Sequence, residues 1–230
     1  SIRDRTMELV APLSMEDCCV QSMPHASPVK WHLGHAAWFF EPFVLEPYEV
    51  PFKPFHEAFR AMFSSYNAHG ETHPDPRRGL FTRPPLSVIQ DYRHNVDERM
   101  HRLLNLPPHD EMLPMLAILG LNHEQQHQEL ILADIKHLLS LNPLKPCYQM
   151  MGTQSPSPAT TLRWHDFEGG IREIGYAGEG FCYDNESPRH KEYLQPYQLA
   201  SRLVTNGDYL RFIEAGGYED SALWLSEGWD

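Results

Sequence analysis

The sequence predicts an α+β chain: a four-helix bundle over residues 1–150, a linker over 151–165, and an incomplete strand- and loop-rich domain over 166–230. Three observations lead there. Apolar residues recur at helical period through the first 150 residues. A Pro/Ser/Thr run from Ser155 to Thr161 interrupts the pattern. Beyond it, Gly169, Gly170, Gly175, Gly178 and Gly180 stand among aromatics and short alternating stretches such as Gly170–Gly175.

The first helix is expected over residues 1 to about 20, on Ile2, Met7, Leu9, Val10 and Leu13. After a loop at 21–26, Ser27-Pro28 marks a second start, with Ser27 as N-cap and Pro28 in the first turn. That helix runs Val29 to Glu41. Residues 52–69 are aromatic-rich core, and Pro74, Pro76 and Gly79 break the segment Asn67 to Arg83. Arg77, Arg78 and Arg83 give that loop a cationic cluster, read either as a solvated loop or as a clamp for a substrate carboxylate. A third helix is expected from Leu86 to Leu104, and a fourth from about Asp110 to Leu141, stopped by Asn142-Pro143. In the last segment, Thr205 or Asn206 caps a short helix to Ala215.

The chemistry concentrates in the fourth helix. His123 and His127 stand four residues apart, one above the other on one face, the spacing that lets two imidazoles reach one metal. They share a stripe with Met115, Leu116, Leu119, Gly120, Leu130 and Asp134, so they occupy positions expected to face the core. One such histidine is read most simply as a satisfied core residue; the pair favours a metal. Glu129 follows His127 by about 200° of helix and points away; Glu124 and Gln126 lie off the stripe, though Gln126 flanks it. Asp134 lies two turns beyond His127, too far to be a ligand. A third ligand therefore comes from elsewhere, and in Trp31-His32-Leu33-Gly34-His35 periodicity places His35 only slightly ahead of His32.

Bulk properties narrow the class. A net charge of −12 argues against a nucleic-acid or anionic-membrane surface. No apolar run reaches about 18 residues, and no basic-then-apolar leader is present. Cys18, Cys19, Cys147 and Cys182 have no metal or redox spacing, so buried free thiols and a reducing cytoplasm are expected.

Three segments carry a family resemblance: Ser27-Pro28-Val29-Lys30-Trp31-His32-Leu33-Gly34-His35 through Glu41; His123-Glu124-Gln125-Gln126-His127-Gln128-Glu129; and Glu186-Ser187-Pro188-Arg189-His190 with Leu203-Val204-Thr205-Asn206-Gly207-Asp208-Tyr209. Together they resemble the sulfoxide synthases of ergothioneine biosynthesis, the hercynine oxygenases. These are non-haem iron enzymes with a DinB-like four-helix bundle followed by a formylglycine-generating-enzyme-like (C-type-lectin-like) domain. The resemblance implies that His35, His123 and His127 ligate Fe(II) and that Gln126 approaches the imidazole of hercynine. It also implies that Tyr66 is an active-site tyrosine, although Ser65 stands where one branch of the family has a second tyrosine. The implied reaction uses O2 to join a thiol, cysteine or γ-glutamylcysteine, to hercynine as a sulfoxide. Selenoneine or ovothiol synthesis on the same scaffold is an alternative. So are a DinB-like thiol transferase using zinc or nickel without O2, and a metal-binding piece without turnover. Residues after about 160 are expected to pack against the metal-facing end of the bundle and leave the pocket partly open.

Overall fold

The computed structural model describes residues 1–65, 77–107, 110–150, 152 and 160–230. The chain divides into two compact units, Ser1–Gly152 and Thr153–Asp230. The first is helical: α1 (Ile2–Val10), α2 (Val29–Phe40), α3 (Glu46–Tyr48), α4 (Phe59–Met62), α5 (Leu86–Leu104) and α6 (Met112–Leu141). Helix α2 packs against both α5 and α6, and α1 against α6. Leu33, Val44, Leu45, Ile89, Tyr92, Val96 and Ile131 form the centre of the core.

The ends of α5 and α6 fall where the sequence places them; the start of the chain does not. Helix α1 stops at Val10 rather than near residue 20, because Pro12 offers no N–H to continue the helical ladder. Its start is fixed by a capping box between Ser1 and Asp4. Ser27 is not the N-cap of α2. That place falls to Pro28, and the Ser27 amide donates instead to Asp134 Oδ2 at 2.9 Å. Past Phe40 the helix widens into a π-helical turn, Glu41–Leu45, where Pro42 cannot supply the amide that an α-helical ladder needs.

The buried face of α6 also differs from the expected stripe. It runs through Leu113, Ala117, Gly120, Glu124, His127, Ile131 and Ile135, while Met115 (61%) and Leu130 (41%) are exposed. This helix is apolar on more than one side, so hydrophobicity alone does not choose the face. Two features of the packed unit do. A Cβ on Gly120 would lie 2.5 Å from Phe40 Cε1 and 2.9 Å from Phe39 Cε1, so only glycine lets α2 approach there. Glu124 is fully buried, paired with Arg3 (2.8 Å) and Arg93 (2.7 Å) and hydrogen-bonded by Thr6 (2.5 Å). A second buried network joins Glu41 to Arg99 (3.2 Å) and the Tyr92 hydroxyl (2.9 Å).

The second unit holds two two-stranded antiparallel sheets. Strand β1 (Trp164–Phe167) pairs with β4 (Tyr197–Ala200), and β2 (Gly170–Ile174) with β3 (His190–Leu194), the second pair nested inside the first along the chain. Gly170, at φ +123°, takes the backbone from β1 into β2 through a conformation closed to other residues. Helix α7 (Asn206–Glu214) is N-capped by Thr205 in a capping box with Asp208, and α8 (Ser226–Trp229) follows. Of the described residues in this unit only Gly217 is buried. Among the described residues, no helix is long and apolar enough to cross a membrane.

Candidate metal centre

Helices α2 and α6 run antiparallel: His32 on α2 meets Asp134 on α6, whereas Phe40, farther along α2, packs at Gly120. Between these two contacts His35 faces His123 and His127. His35 Nε2 lies 3.1 Å from His123 Nε2, which lies 3.1 Å from His127 Nε2. One nitrogen from each ring falls within 4.8 Å of the other two, making this a cluster that can hold a metal ion. Three nitrogens on one face of a metal, with bonds of about 2.1 Å at right angles, would stand about 3.0 Å apart.

The outer nitrogens decide which atoms face inward. His35 Nδ1 lies 2.6 Å from the Phe63 carbonyl oxygen, which only accepts, so Nδ1 carries the proton and Nε2 presents a lone pair. Gly34 makes this contact possible, since a Cβ there would overlap the Phe63 ring. His127 Nδ1 lies 2.9 Å from His32 Nδ1, and His32 Nε2 lies 2.9 Å from Asp134 Oδ2. The carboxylate accepts from His32 Nε2–H; neutral His32 then accepts at Nδ1 from His127 Nδ1–H, and His127 Nε2 also presents a lone pair. Both inward lone pairs point toward His123 Nε2, which has at most one proton to offer them. A cation at the shared point would satisfy all three nitrogens, so the donor set fits a metal. His123 Nδ1 is buried and without a hydrogen-bond partner among the described residues.

Burial keeps these rings uncharged. It pushes His35 down to about 3, with His123 adding to the effect, and it lowers His127, with His35 next in importance. His123 is lowered by burial, and so is His32, for which Asp134 opposes the shift. Neutral imidazole is the form that ligates metals.

The histidines line a cleft of about 250 Å³ together with Gln126 and Arg78. The Arg78 guanidinium lies 3.6 Å from the centre of the Trp31 ring and donates to Ser27 Oγ at 2.6 Å. Trp31 in turn stacks on His35, with ring centres 4.5 Å apart.

Of the residues singled out in the sequence, the structure brings together His35, His123 and His127, with Gln126 exposed on the same cleft. Tyr66 lies outside the described residues. His32 does not join the three; it reaches His127 from behind. Of the three arginines in the loop cluster, Arg78 turns into the cleft, while Arg83 is exposed and donates to the neighbouring Thr82 carbonyl. Glu129 is exposed and outside the cluster. Only Cys18 of the four thiols is fully buried, and Cys147 is exposed, contrary to expectation.

Two features escaped the sequence. Asp134 lies too far along α6 to be a ligand, yet it reaches the site through His32. Glu124, expected off the buried face, is at its centre. The signal for the second was present: positions 113, 117, 120, 124, 127 and 131 follow an alternating four-three spacing, and Glu124 interrupts it with a charge.

Comparison with known proteins agrees with this architecture. Hercynine oxygenase of Mycobacterium tuberculosis is 26% identical over 233 residues, covering 99% of this chain and 52% of the relative. That of Mycolicibacterium thermoresistibile is 26% identical over 232 residues, 99% of this chain and 49% of the relative. That of Mycolicibacterium smegmatis is 27% identical over 238 residues, 99% and 51%. The chain thus spans about half the length of the curated relatives it matches. The family match covers residues 1–131, which hold α1, α2, α5 and the histidine pair of α6, and by it the chain belongs to the DinB superfamily.

Proposed function

We propose that this chain belongs to a non-haem Fe(II)- and O2-dependent sulfoxide synthase that joins cysteine or γ-glutamylcysteine to the imidazole of hercynine. In this reading residues 166–230 are the N-terminal part of a formylglycine-generating-enzyme-like domain. The observation that carries it is the inward convergence of three neutral imidazoles, in a chain whose relatives are named hercynine oxygenase.

His35, His123 and His127 would hold the metal. Bound Fe(II) would supply a redox centre with positions left open for O2 and for both substrates. Arg78 provides a cation at the cleft wall, backed by Trp31, suited to a substrate carboxylate; hercynine and both thiol donors carry one. The Gln126 side-chain amide, on the same cleft, would meet the substrate imidazole through one hydrogen bond. Tyr66 is the proposed phenol that delivers a proton to reduced oxygen.

The test is anaerobic reconstitution with Fe(II), then addition of hercynine, a thiol donor and O2. O2 uptake is followed by electrode and products by mass spectrometry. A sulfoxide adduct of both substrates, dependent on Fe(II) and O2, is expected. Thiol transfer supported by zinc, with no O2 consumed, would replace this reading with that of a thiol transferase.

A further inference from the structure

Behind the three histidines lies a chain of polar contacts that the proposed reaction does not itself require. Asp134 Oδ2 accepts from the Ser27 amide at 2.9 Å and lies 2.9 Å from His32 Nε2; His32 Nδ1 lies 2.9 Å from His127 Nδ1. The two imidazoles of this chain are largely buried, and Asp134 lies on the same α6 face as His127, seven residues on. We propose that Asp134 and His32 are positioning residues, a carboxylate–imidazole relay that locks His127 as its Nδ1–H tautomer and so aims the Nε2 lone pair at the metal position.

The argument is one of proton counting. Two neutral imidazoles joined through Nδ1 atoms leave a choice of which ring donates. Unaided, the two orientations would be of comparable energy, and in one of them His127 carries its proton on Nε2, where it would block a metal. The carboxylate removes the choice. It can only accept, so His32 must keep its proton on Nε2 and can only accept at Nδ1. Asp134 is itself held at the beginning of α2 by the Ser27 amide, where the unpaired amides of a helix start favour a negative group. The relay therefore ties the ligand on α6 to the first turn of α2. The three ligands are consequently unequal. His35 is fixed by the Phe63 carbonyl, His127 by the relay, and His123 by neither, since its Nδ1 has no partner among the described residues. Outer partners of metal-bound histidines are typically worth 10- to 100-fold in metal affinity.

This inference rests on the metal reading for its affinity arm but not for its tautomer arm, and the experiment keeps them apart. The metal-free chain is examined by long-range 1H–15N NMR of its histidine rings, which distinguishes Nδ1–H from Nε2–H. His32 is expected as Nε2–H and His127 as Nδ1–H. In Asp134→Leu, His127 should shift toward a mixture of tautomers, and Co(II) affinity, measured by titration, should fall about 10- to 100-fold. Asp134→Asn, whose amide oxygen can still accept from His32, should retain the tautomer and lose less affinity. If Asp134→Leu fails to fold, the wild-type spectrum alone decides: His127 as Nε2–H overturns the relay. An unchanged His127 tautomer together with unchanged Co(II) affinity in folded Asp134→Leu overturns it equally. A wild-type chain that shows the expected tautomers yet binds no Co(II) would keep the relay and refute the metal reading.

Discussion

Single residues decide more here than their number suggests, and Glu124 shows how. Burial alone would raise its carboxyl, yet Arg93 and Arg3 hold it below the ordinary value, so it stays charged at the centre of the unit. Removing one partner of a buried pair leaves the other uncompensated, which costs about 3–5 kcal/mol. Glu124→Leu, which leaves buried Arg93 without its carboxylate partner, is therefore expected to lower the stability of the helical unit by that amount in urea unfolding; a loss below about 1 kcal/mol would show the network to be dispensable. The thiols give a second residue-scale outcome. Burial pushes Cys18 up to about 12, with Cys19 next in effect, whereas Cys147 is exposed. Alkylation of the native chain near neutral pH should label Cys147 and spare Cys18 until the fold is opened; rapid labelling of Cys18, read by peptide mass spectrometry, would contradict its burial. At this scale the meeting of His35, His123 and His127 is legible from spacing plus family resemblance. The Asp134–His32 contact is not, because it depends on how far one helix slides past another, which no local pattern encodes.

At the scale of elements, α2 and α6 form the frame of the site, and glycine sets their distance. Gly120→Ala would press a methyl into the Phe40 and Phe39 rings. Overpacking of this kind costs about 1–3 kcal/mol. The same displacement separates His35 from His123 and His127, so Co(II) binding should weaken along with stability. Gly152→Ala, with nothing within 4 Å of the added carbon, is the matched control and should change neither. Equal behaviour of the two variants in thermal melts and metal titration would mean that α2 does not need its close approach. Helices α5 and α6 could be read from sequence because their apolar period, proline punctuation and length agree. The end of α1 and the face of α6 were harder. Pro12 cuts a pattern whose apolar residues continue to Leu13, and a helix apolar on several sides is oriented only by its neighbours.

For the molecule as a whole, the two units differ in how much they bury. The first encloses a continuous aliphatic and aromatic core; in the second, two-stranded sheets and α7 leave Ile171, Tyr193, Leu199 and Leu210 more than half exposed. Isolated two-stranded sheets are marginal in water. Amide exchange should accordingly be slow across α2, α5 and α6 and fast across β1–β4, with metal slowing exchange further in α2 and α6. Strand amides as protected as those of α5 would show that the second unit is stabilised in a way its burial does not reveal. The claim on which the account turns is that His35, His123 and His127 together hold Fe(II). Anaerobic equilibrium dialysis tests it most directly, comparing the wild-type chain with His35→Ala, His123→Ala and His127→Ala after each is shown to be folded. The account predicts one Fe(II) per chain for the wild type and loss of tight binding in all three variants; stoichiometric Fe(II) retained by any one of them would contradict it.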